Sequence, residues 1–201
     1  MAFTIDESFL PAILTAHPMT DEEFAEFCSE HPDLFFEMSA DGELIGMPPP
    51  YSLTGIRRGK IYAQLNRWAE EDGRGIAGEA NTAFVLPSGA RRVPGAVWIR
   101  KEQIRQLDSK MLQRYWHLCP DFVIEVRPPA DRLRTLRAKM REWVDNGAAL
   151  AWMIDPENRT VEICRPGVEM EMLTNPESLQ GEGPVQGFVL HLVPVWDPLG
   201  S

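Results

Sequence analysis

Apolar residues that recur every three or four positions predict two long helices in this chain. The stripe of the first helix, in residues 55–73, consists of Ile61, Leu65, Trp68 and Ala69. The stripe of the second, in residues 130–147, consists of Leu133, Leu136, Met140, Trp143 and Val144. Each segment closes on glycine, the residue favoured just past a helix end. A shorter helix should begin after Thr20, because Thr20 and Glu23 have the spacing of a capping box.

Short apolar runs between turn residues predict strands. They cover residues 34–38, 43–47, 75–86, 90–99, 121–126, 149–155 and 159–167, with further short strands in 168–196. The turn SADG makes the first two a hairpin, and the turn PSG joins the next two. The strand–helix–strand unit of residues 121–155 implies a parallel crossover. We expect one α/β domain with a mixed β-sheet flanked by helices. An N-terminal helix and hairpin arm, residues 1–50, should pack on a core of residues 51–201.

The composition also indicates the cellular compartment in which the protein is expected. No apolar run approaches the roughly 18 residues of a membrane span. The N-terminus lacks the basic region of a secretory signal. The three cysteines, Cys28, Cys119 and Cys164, are far apart and suit free thiols in a reducing compartment. We therefore expect a cytoplasmic protein without a membrane partner.

Charge is distributed unevenly along the chain. The net charge is −10, which argues against a general nucleic-acid binder. Residues 1–56 contain 11 acids and no lysine or arginine, and residues 142–201 contain 10 acids and 2 bases. Residues 57–141 contain 18 bases against 9 acids. This basic middle indicates either a surface that faces a polyanion or mutual neutralisation within the fold.

Glu125 interrupts the apolar strand of residues 121–126 and is the first candidate for chemistry. Because side chains alternate between strand faces, Val123, Glu125 and Arg127 are expected on one face. A charge in a dry site costs several kcal/mol unless it is partnered. Two interpretations are open: an ion pair with an arginine such as Arg127 or Arg132, or a ligand of a hard divalent cation.

Lys139 lies at the edge of the next helix's apolar stripe, about 40° from Trp143. A lysine there can lay its stem along the core and bring its ammonium to the sheet. Arg132 lies on the same edge and competes for this role. A carboxylate on a buried strand and a lysine on the following helix would hold a metal and its attacking water beside a phosphodiester. A snorkelling side chain is the alternative.

The order of several stretches resembles the Uma-type putative restriction endonucleases, within the PD-(D/E)xK nuclease superfamily. The resemblance covers roughly residues 20–196. Its stretches are FFEMSADGELIGMPPP, TGIRRGKIYAQLNRWAEE, NTAFVLPSGARRVP, CPDFVIEVRPPADRLRTLRAKMREWVDNGAALAWMIDPENRTVEICRPG and GFVLHL. It implies a restriction-endonuclease-like core, dependence on Mg²⁺ or Mn²⁺, and DNA as the substrate.

The family pattern has an acid in a Pro-Asp pair, the glutamate of an E-x-V strand, and a lysine on the next helix. Glu125 and Lys139 match the second and third positions. The first falls on Pro94-Gly95, so Gly95 stands where a metal-ligating Asp is expected. The resemblance favours Glu37 or Glu43 as an auxiliary acid, and a solvated hairpin residue is the alternative for each.

Metal binding is therefore expected to be weak, and three functions stay open. The chain is a metal-dependent endonuclease with a rebuilt or impaired site, a non-catalytic DNA-binding relative, or an interaction protein in which Glu125 forms only salt bridges. The bases predicted to meet DNA phosphates are Arg127, Arg132, Arg134 and Arg141. The alternative for these bases is a helix face that is only solvated. Formation of a homodimer is also compatible with the sequence.

Overall fold

The computed structural model describes residues 12–15, 17–47, 49–129 and 132–200. The helices in this part of the chain are α1 Asp21–Glu30, α2 Ser52–Asp72, α3 Lys101–Ile104, α4 Leu133–Asp145 and α5 Val193–Trp196. The first strands are β1 Ala12–Thr15, β2 Phe35–Met38, β3 Glu43–Met47, β4 Gly75–Gly78, β5 Phe84–Val85, β6 Arg91–Arg92 and β7 Ala96–Arg100. The remaining strands are β8 Trp116–His117, β9 Phe122–Val126, β10 Leu150–Asp155, β11 Thr160–Cys164, β12 Glu171–Thr174, β13 Ser178–Gln180 and β14 Val189–His191.

These strands form two six-stranded sheets and one two-stranded ribbon. The first sheet has the order β1-β3-β2-β6-β5-β8, the second β12-β11-β10-β9-β7-β4, and β13 pairs with β14. In the second sheet β9 and β10 run parallel, as the helix between them predicts, and their other neighbours are antiparallel. The predicted mixed α/β architecture is confirmed, with two main sheets in place of one.

The predicted hairpin of residues 75–99 is divided between the two sheets. Its outer parts, β4 and β7, pair in the second sheet, whereas β5 and β6 pair in the first. The sequence expectation of two continuous strands was therefore wrong. The second strand changes sheet at Val93-Pro94-Gly95, between β6 and β7. Proline has no N–H for a sheet hydrogen bond, which explains the break at this point.

Helices α2 and α4 cover opposite faces of the second sheet. Ile61 and Leu65 of α2 pack with Phe122 and Ile124 of β9. On the other face, α4 packs against Val123 and its neighbours through Leu136, Met140 and Trp143. Burying a large apolar side chain stabilises a fold by about 1.5–3 kcal/mol. The strand alternation predicted for β9 is confirmed, and it directs Glu125 toward α4.

The N-terminal hairpin belongs to the first sheet. Thr20 and Glu23 form the predicted capping box at the start of α1. Strand β2 pairs with β6 at Met38 and Arg91, so this hairpin extends a sheet that also contains residues from the core segment. The carboxylate of Asp21 accepts hydrogen bonds from Arg91 at 2.8 Å and contacts His117 at 2.6 Å, which fixes α1 beside that sheet.

None of the described helices combines the length and apolar character needed to cross a lipid bilayer. The cysteines are free thiols, and burial raises the pKa of the Cys119 thiol to about 12. A thiol with so high a pKa is a poor nucleophile, so Cys119 serves packing.

Candidate functional site

The carboxylate of Glu125 lies beneath α4, and the residue is 3% exposed. Its Oε1 accepts a hydrogen bond from the indole N–H of Trp143 at 3.0 Å. The same oxygen lies 2.8 Å from Nζ of Lys139. Glu125 is therefore a buried carboxylate whose partners both come from the helix that follows its strand.

The ammonium of Lys139 has three oxygen partners. Besides Glu125, Nζ lies 2.7 Å from Oε1 of Glu37 and 3.0 Å from the backbone oxygen of Val93. An ammonium has three N–H donors, so this set satisfies all of them. Lys139 thus joins β9, the hairpin strand β2 and the β6–β7 connection. Its ammonium reaches the sheet, as the sequence predicted.

Glu37 enters the cluster from the first sheet. Its Oε1 accepts the backbone N–H of Val93 at 2.8 Å, and its Oε2 accepts from Arg92 at 3.3 Å. The guanidinium of Arg92 also binds Glu142 of α4 through two hydrogen bonds, of 2.5 and 3.0 Å. We call Glu37, Arg92, Glu125, Lys139 and Glu142 the charged cluster.

Electrostatics keep both bases of the charged cluster protonated. Burial alone would lower the pKa of the Lys139 ammonium, but the charges and hydrogen bonds of Glu125 and Glu37 outweigh burial and raise it. Burial likewise opposes the charge of Arg92, but its hydrogen bond to Glu142 and the nearby carboxylates raise its pKa. Removing one partner from a buried pair costs about 3–5 kcal/mol, so the loss of a single member of this cluster should destabilise the fold.

Gly95 lies directly beside the backbone of Glu125. A Cβ built at position 95 would lie 2.8 Å from the Ile124 carbonyl oxygen, 3.3 Å from the Val126 nitrogen and 3.6 Å from the Glu125 Cα. The backbone here leaves no room for a side chain. An Asp at position 95 could therefore supply a ligand only if β7 and β9 moved apart.

The other predicted site residues lie outside the charged cluster. Glu43 is exposed at the start of β3. Arg127 has its Nη1 2.6 Å from Asp155, so its ion pair is not with Glu125. Three further arginines are exposed on α4 and its N-cap: Arg132, Arg134 and Arg141. Arg132 therefore does not take the role that Lys139 fills.

Sequence reasoning missed Arg92, Val93, Glu142 and the hydrogen bond of Trp143. One signal was available on the helix, because Glu142 and Trp143 follow Lys139 by three and four positions and share its face. No local signal marks Val93, because it contributes only backbone atoms. Arg92 becomes a member through contacts between distant parts of the chain, with Glu37 of the hairpin and with Glu142 of α4.

The oxygens around the Lys139 ammonium resemble part of a divalent-cation site. The described residues contain no group of three or more His, Cys, Asp and Glu side chains that could hold a metal ion. Two carboxylates and one carbonyl nevertheless converge on one point, now taken by the Lys139 ammonium. Mg²⁺ is commonly bound by one or two carboxylates and keeps several waters. The three oxygens therefore fit a Mg²⁺ ion that has few protein ligands and keeps several waters.

Comparison with known proteins places the fold. No curated protein matches the sequence. A crystal structure of a putative nuclease belonging to DUF820 from Anabaena variabilis ATCC 29413 has a TM-score of 0.73 to this chain, with 18% sequence identity. The alignment covers 90% of this chain and 98% of that one. At this identity the likeness shows a shared fold.

The sequence itself carries the family assignment. Residues 21–193 match the family Uma2, described as putative restriction endonuclease. The matched segment begins at α1 and ends at the start of α5, so it contains every member of the charged cluster. This chain belongs to the Uma2 family of putative restriction endonucleases, as the sequence resemblance predicted.

Proposed function

We propose that this protein binds DNA and hydrolyses its phosphodiester bonds slowly, as a metal-dependent endonuclease in which few protein ligands hold the metal ion. The observation that carries the proposal is the convergence of Glu37, Glu125 and the Val93 carbonyl on one cation position. Hydrolysis adds water at phosphorus, breaks the bond to the leaving sugar oxygen, and gives that oxygen a proton. Three free thiols support action in a reducing compartment such as the cytoplasm.

Four residues of the charged cluster have roles in this proposal. Glu37, Glu125 and the Val93 carbonyl would hold Mg²⁺ or Mn²⁺. A bound divalent cation supplies a Lewis acid and lowers the pKa of its bound water. The Lys139 ammonium, kept charged by its surroundings, would neutralise charge on the phosphate. Arg92 positions the Glu37 carboxylate, and Trp143 positions that of Glu125.

Gly95 sets the expected rate. A carboxylate missing from the cation site weakens the hold on the metal and misplaces its water. If this removes about 3–5 kcal/mol of transition-state stabilisation, the rate falls about 10²–10⁴-fold. Slow cleavage is therefore expected even at high Mn²⁺ concentration.

The test is nicking of supercoiled plasmid at millimolar Mn²⁺, compared among wild type, Glu125→Gln and Glu43→Gln. Glu43 is the control, because its carboxylate is exposed and outside the charged cluster. Slow nicking by wild type and Glu43→Gln, abolished in Glu125→Gln, is the expected result. Nicking that survives in Glu125→Gln, or none by wild type at long times, would refute the hydrolytic part.

DNA binding without cleavage is the second candidate. It is favoured by the exposed arginines Arg132, Arg134 and Arg141 on the α4 side of the sheet.

Each contact to a phosphate steepens the salt dependence of binding by about one unit of slope. A triple replacement by glutamine should therefore weaken anisotropy-detected binding to a DNA duplex and lower its salt slope. Arg67→Gln is the control, because Arg67 is exposed on α2, across the sheet. Absence of binding at about 50 mM salt would exclude both candidates.

A further inference from the structure

The Lys139 ammonium occupies the centre of the only oxygen set in the charged cluster that combines two carboxylates with a carbonyl. Oε1 of Glu37 and Oε1 of Glu125 lie 2.7 and 2.8 Å from Nζ, and the Val93 oxygen lies at 3.0 Å. These oxygens come from three separate parts of the chain. They therefore meet at a point that the fold constructs, and a cation already occupies it.

We propose that Lys139 is a tethered competitor of the divalent cation, so that its ammonium and a metal ion exclude each other from this oxygen set. Hard cations require oxygens at about 2.0–2.6 Å, closer than the present oxygens stand to Nζ. An ion at that distance from the same three oxygens would occupy the position of Nζ. Two cations cannot share it, because like charges at such separations repel strongly.

Charge balance supports exclusion. With the ammonium in place, the three carboxylates and two bases of the charged cluster sum to one negative charge. A divalent ion in place of the ammonium would make the cluster neutral. Both cations together would leave one positive charge in a nearly dry site, whereas replacement of the ammonium by the ion leaves none. Exchange is therefore favoured over joint occupancy.

Lys139 is also the member that can leave. Its side chain is 16% exposed, whereas the side chains of Glu37 and Glu125 are each 4% exposed. Its stem lies at the edge of α4, and rotation about its flexible bonds moves Nζ toward solvent. The carboxylates have no such route, because both are anchored by other donors: the Val93 N–H for Glu37 and the Trp143 indole for Glu125.

Competition predicts how tightly metal binds. The apparent dissociation constant equals the intrinsic one divided by the fraction of molecules in which the ammonium has left. Minor states commonly have populations of about 0.1–10%. Removing the ammonium should thus tighten metal binding about tenfold or more. Tighter binding is the opposite of the effect expected if Lys139 assisted metal binding, and a purely catalytic role would leave the affinity unchanged.

The experiment is calorimetric titration with Mn²⁺ of wild type, Lys139→Met and the double variant Lys139→Met/Glu125→Gln. Methionine keeps the length and apolar stem of the side chain but has no ammonium. We expect Lys139→Met to bind Mn²⁺ about tenfold or more tightly than wild type, and the double variant to lose this gain. Lys110→Met, at an exposed lysine outside the charged cluster, should match wild type. Equal or weaker binding by Lys139→Met would overturn the proposal.

A second measurement uses the wild-type protein, in case Lys139→Met does not fold without metal. Lysine acetylation is followed by mass spectrometry with and without saturating Mn²⁺. The proposal predicts that Mn²⁺ raises the acetylation rate of Lys139 and leaves that of Lys110 unchanged. If Lys139 stays protected from acetylation at saturating Mn²⁺, the ammonium and the metal ion fit together, and the proposal is overturned.

The inference rests on the oxygen set of the proposed function, but its readouts are metal affinity and lysine reactivity. Either can fail alone. Tighter Mn²⁺ binding by Lys139→Met without DNA nicking by wild type refutes the endonuclease and leaves the competitor. If wild type nicks DNA and Lys139→Met has unchanged Mn²⁺ affinity, the competitor role of Lys139 is refuted and the endonuclease stands. Absence of Mn²⁺ binding in every variant refutes both.

Discussion

Replacing Gly95 by alanine should destabilise the protein, because the added methyl group has no room beside β9. Its carbon would lie 2.8 Å from the Ile124 carbonyl oxygen and 3.3 Å from the Val126 nitrogen. Both contacts are with backbone, which cannot rotate away as a side chain can. The two strands would have to separate beside Glu125.

The magnitude follows from two opposing effects. Overpacking of a buried site costs about 1–3 kcal/mol. Replacing glycine by alanine also restricts the unfolded chain, which stabilises by about 0.4–1 kcal/mol. We therefore expect Gly95→Ala to lower the free energy of unfolding by about 1–2 kcal/mol.

The control is Gly59→Ala in α2. A Cβ at Gly59 meets no atom within 4 Å. Alanine is favoured over glycine in a helix interior, so this variant should gain about 0.5–1 kcal/mol. Urea unfolding followed by far-UV circular dichroism measures both variants against wild type, and the urea dependence should stay unchanged. If Gly95→Ala were as stable as wild type, β7 and β9 would have room for a side chain, and our account of this position would be wrong.

Three further predictions concern buried and paired groups. Gly95→Asp adds a charge to the cluster and Gly95→Asn does not, so Mn²⁺ should raise the melting temperature of the Asp variant by more than that of the Asn variant. Trp143→Phe removes a donor to a buried carboxylate and should cost about 1.5–3 kcal/mol more than Trp152→Phe in urea unfolding, because the Trp152 indole N–H has no described partner. Burial alone would raise the pKa of Asp21, but hydrogen bonds from its two basic partners lower it below 3.8. Asp21 therefore stabilises above this value and loses its contribution as pH falls further, so Asp21→Asn should flatten the acid end of the stability profile measured by urea unfolding.

Periodicity predicted two of the five members of the charged cluster, Glu125 and Lys139. Strand alternation directed Glu125 to the α4 face, and helical spacing brought Lys139 to the edge of that face, because both positions depend only on local geometry. The choice between Glu37 and Glu43 could not be made in this way. It depends on how the hairpin pairs with β6, a contact between distant parts of the chain.

The break in the second strand had a local cause that the sequence displayed. Pro94 stands between β6 and β7, and a proline inside a predicted strand argues against a continuous ladder. The apolar alternation around it nevertheless suggested one strand. Which sheet each half joins was beyond local reasoning, because it is set by β2 on one side and β9 on the other.

Gly95 and the position of Lys139 form one consistent arrangement. Three carboxylates and two bases leave the charged cluster with a single negative charge, which Glu142 can share with solvent because its side chain is 23% exposed. An aspartate at position 95 would add a second charge beside Glu125, where burial is nearly complete. A buried excess of that size requires another cation. With glycine at position 95, the ammonium alone suffices and draws Glu37 and Glu125 together. The glycine therefore affects more than the number of ligands, because it also leaves the charged cluster with a single negative charge instead of two.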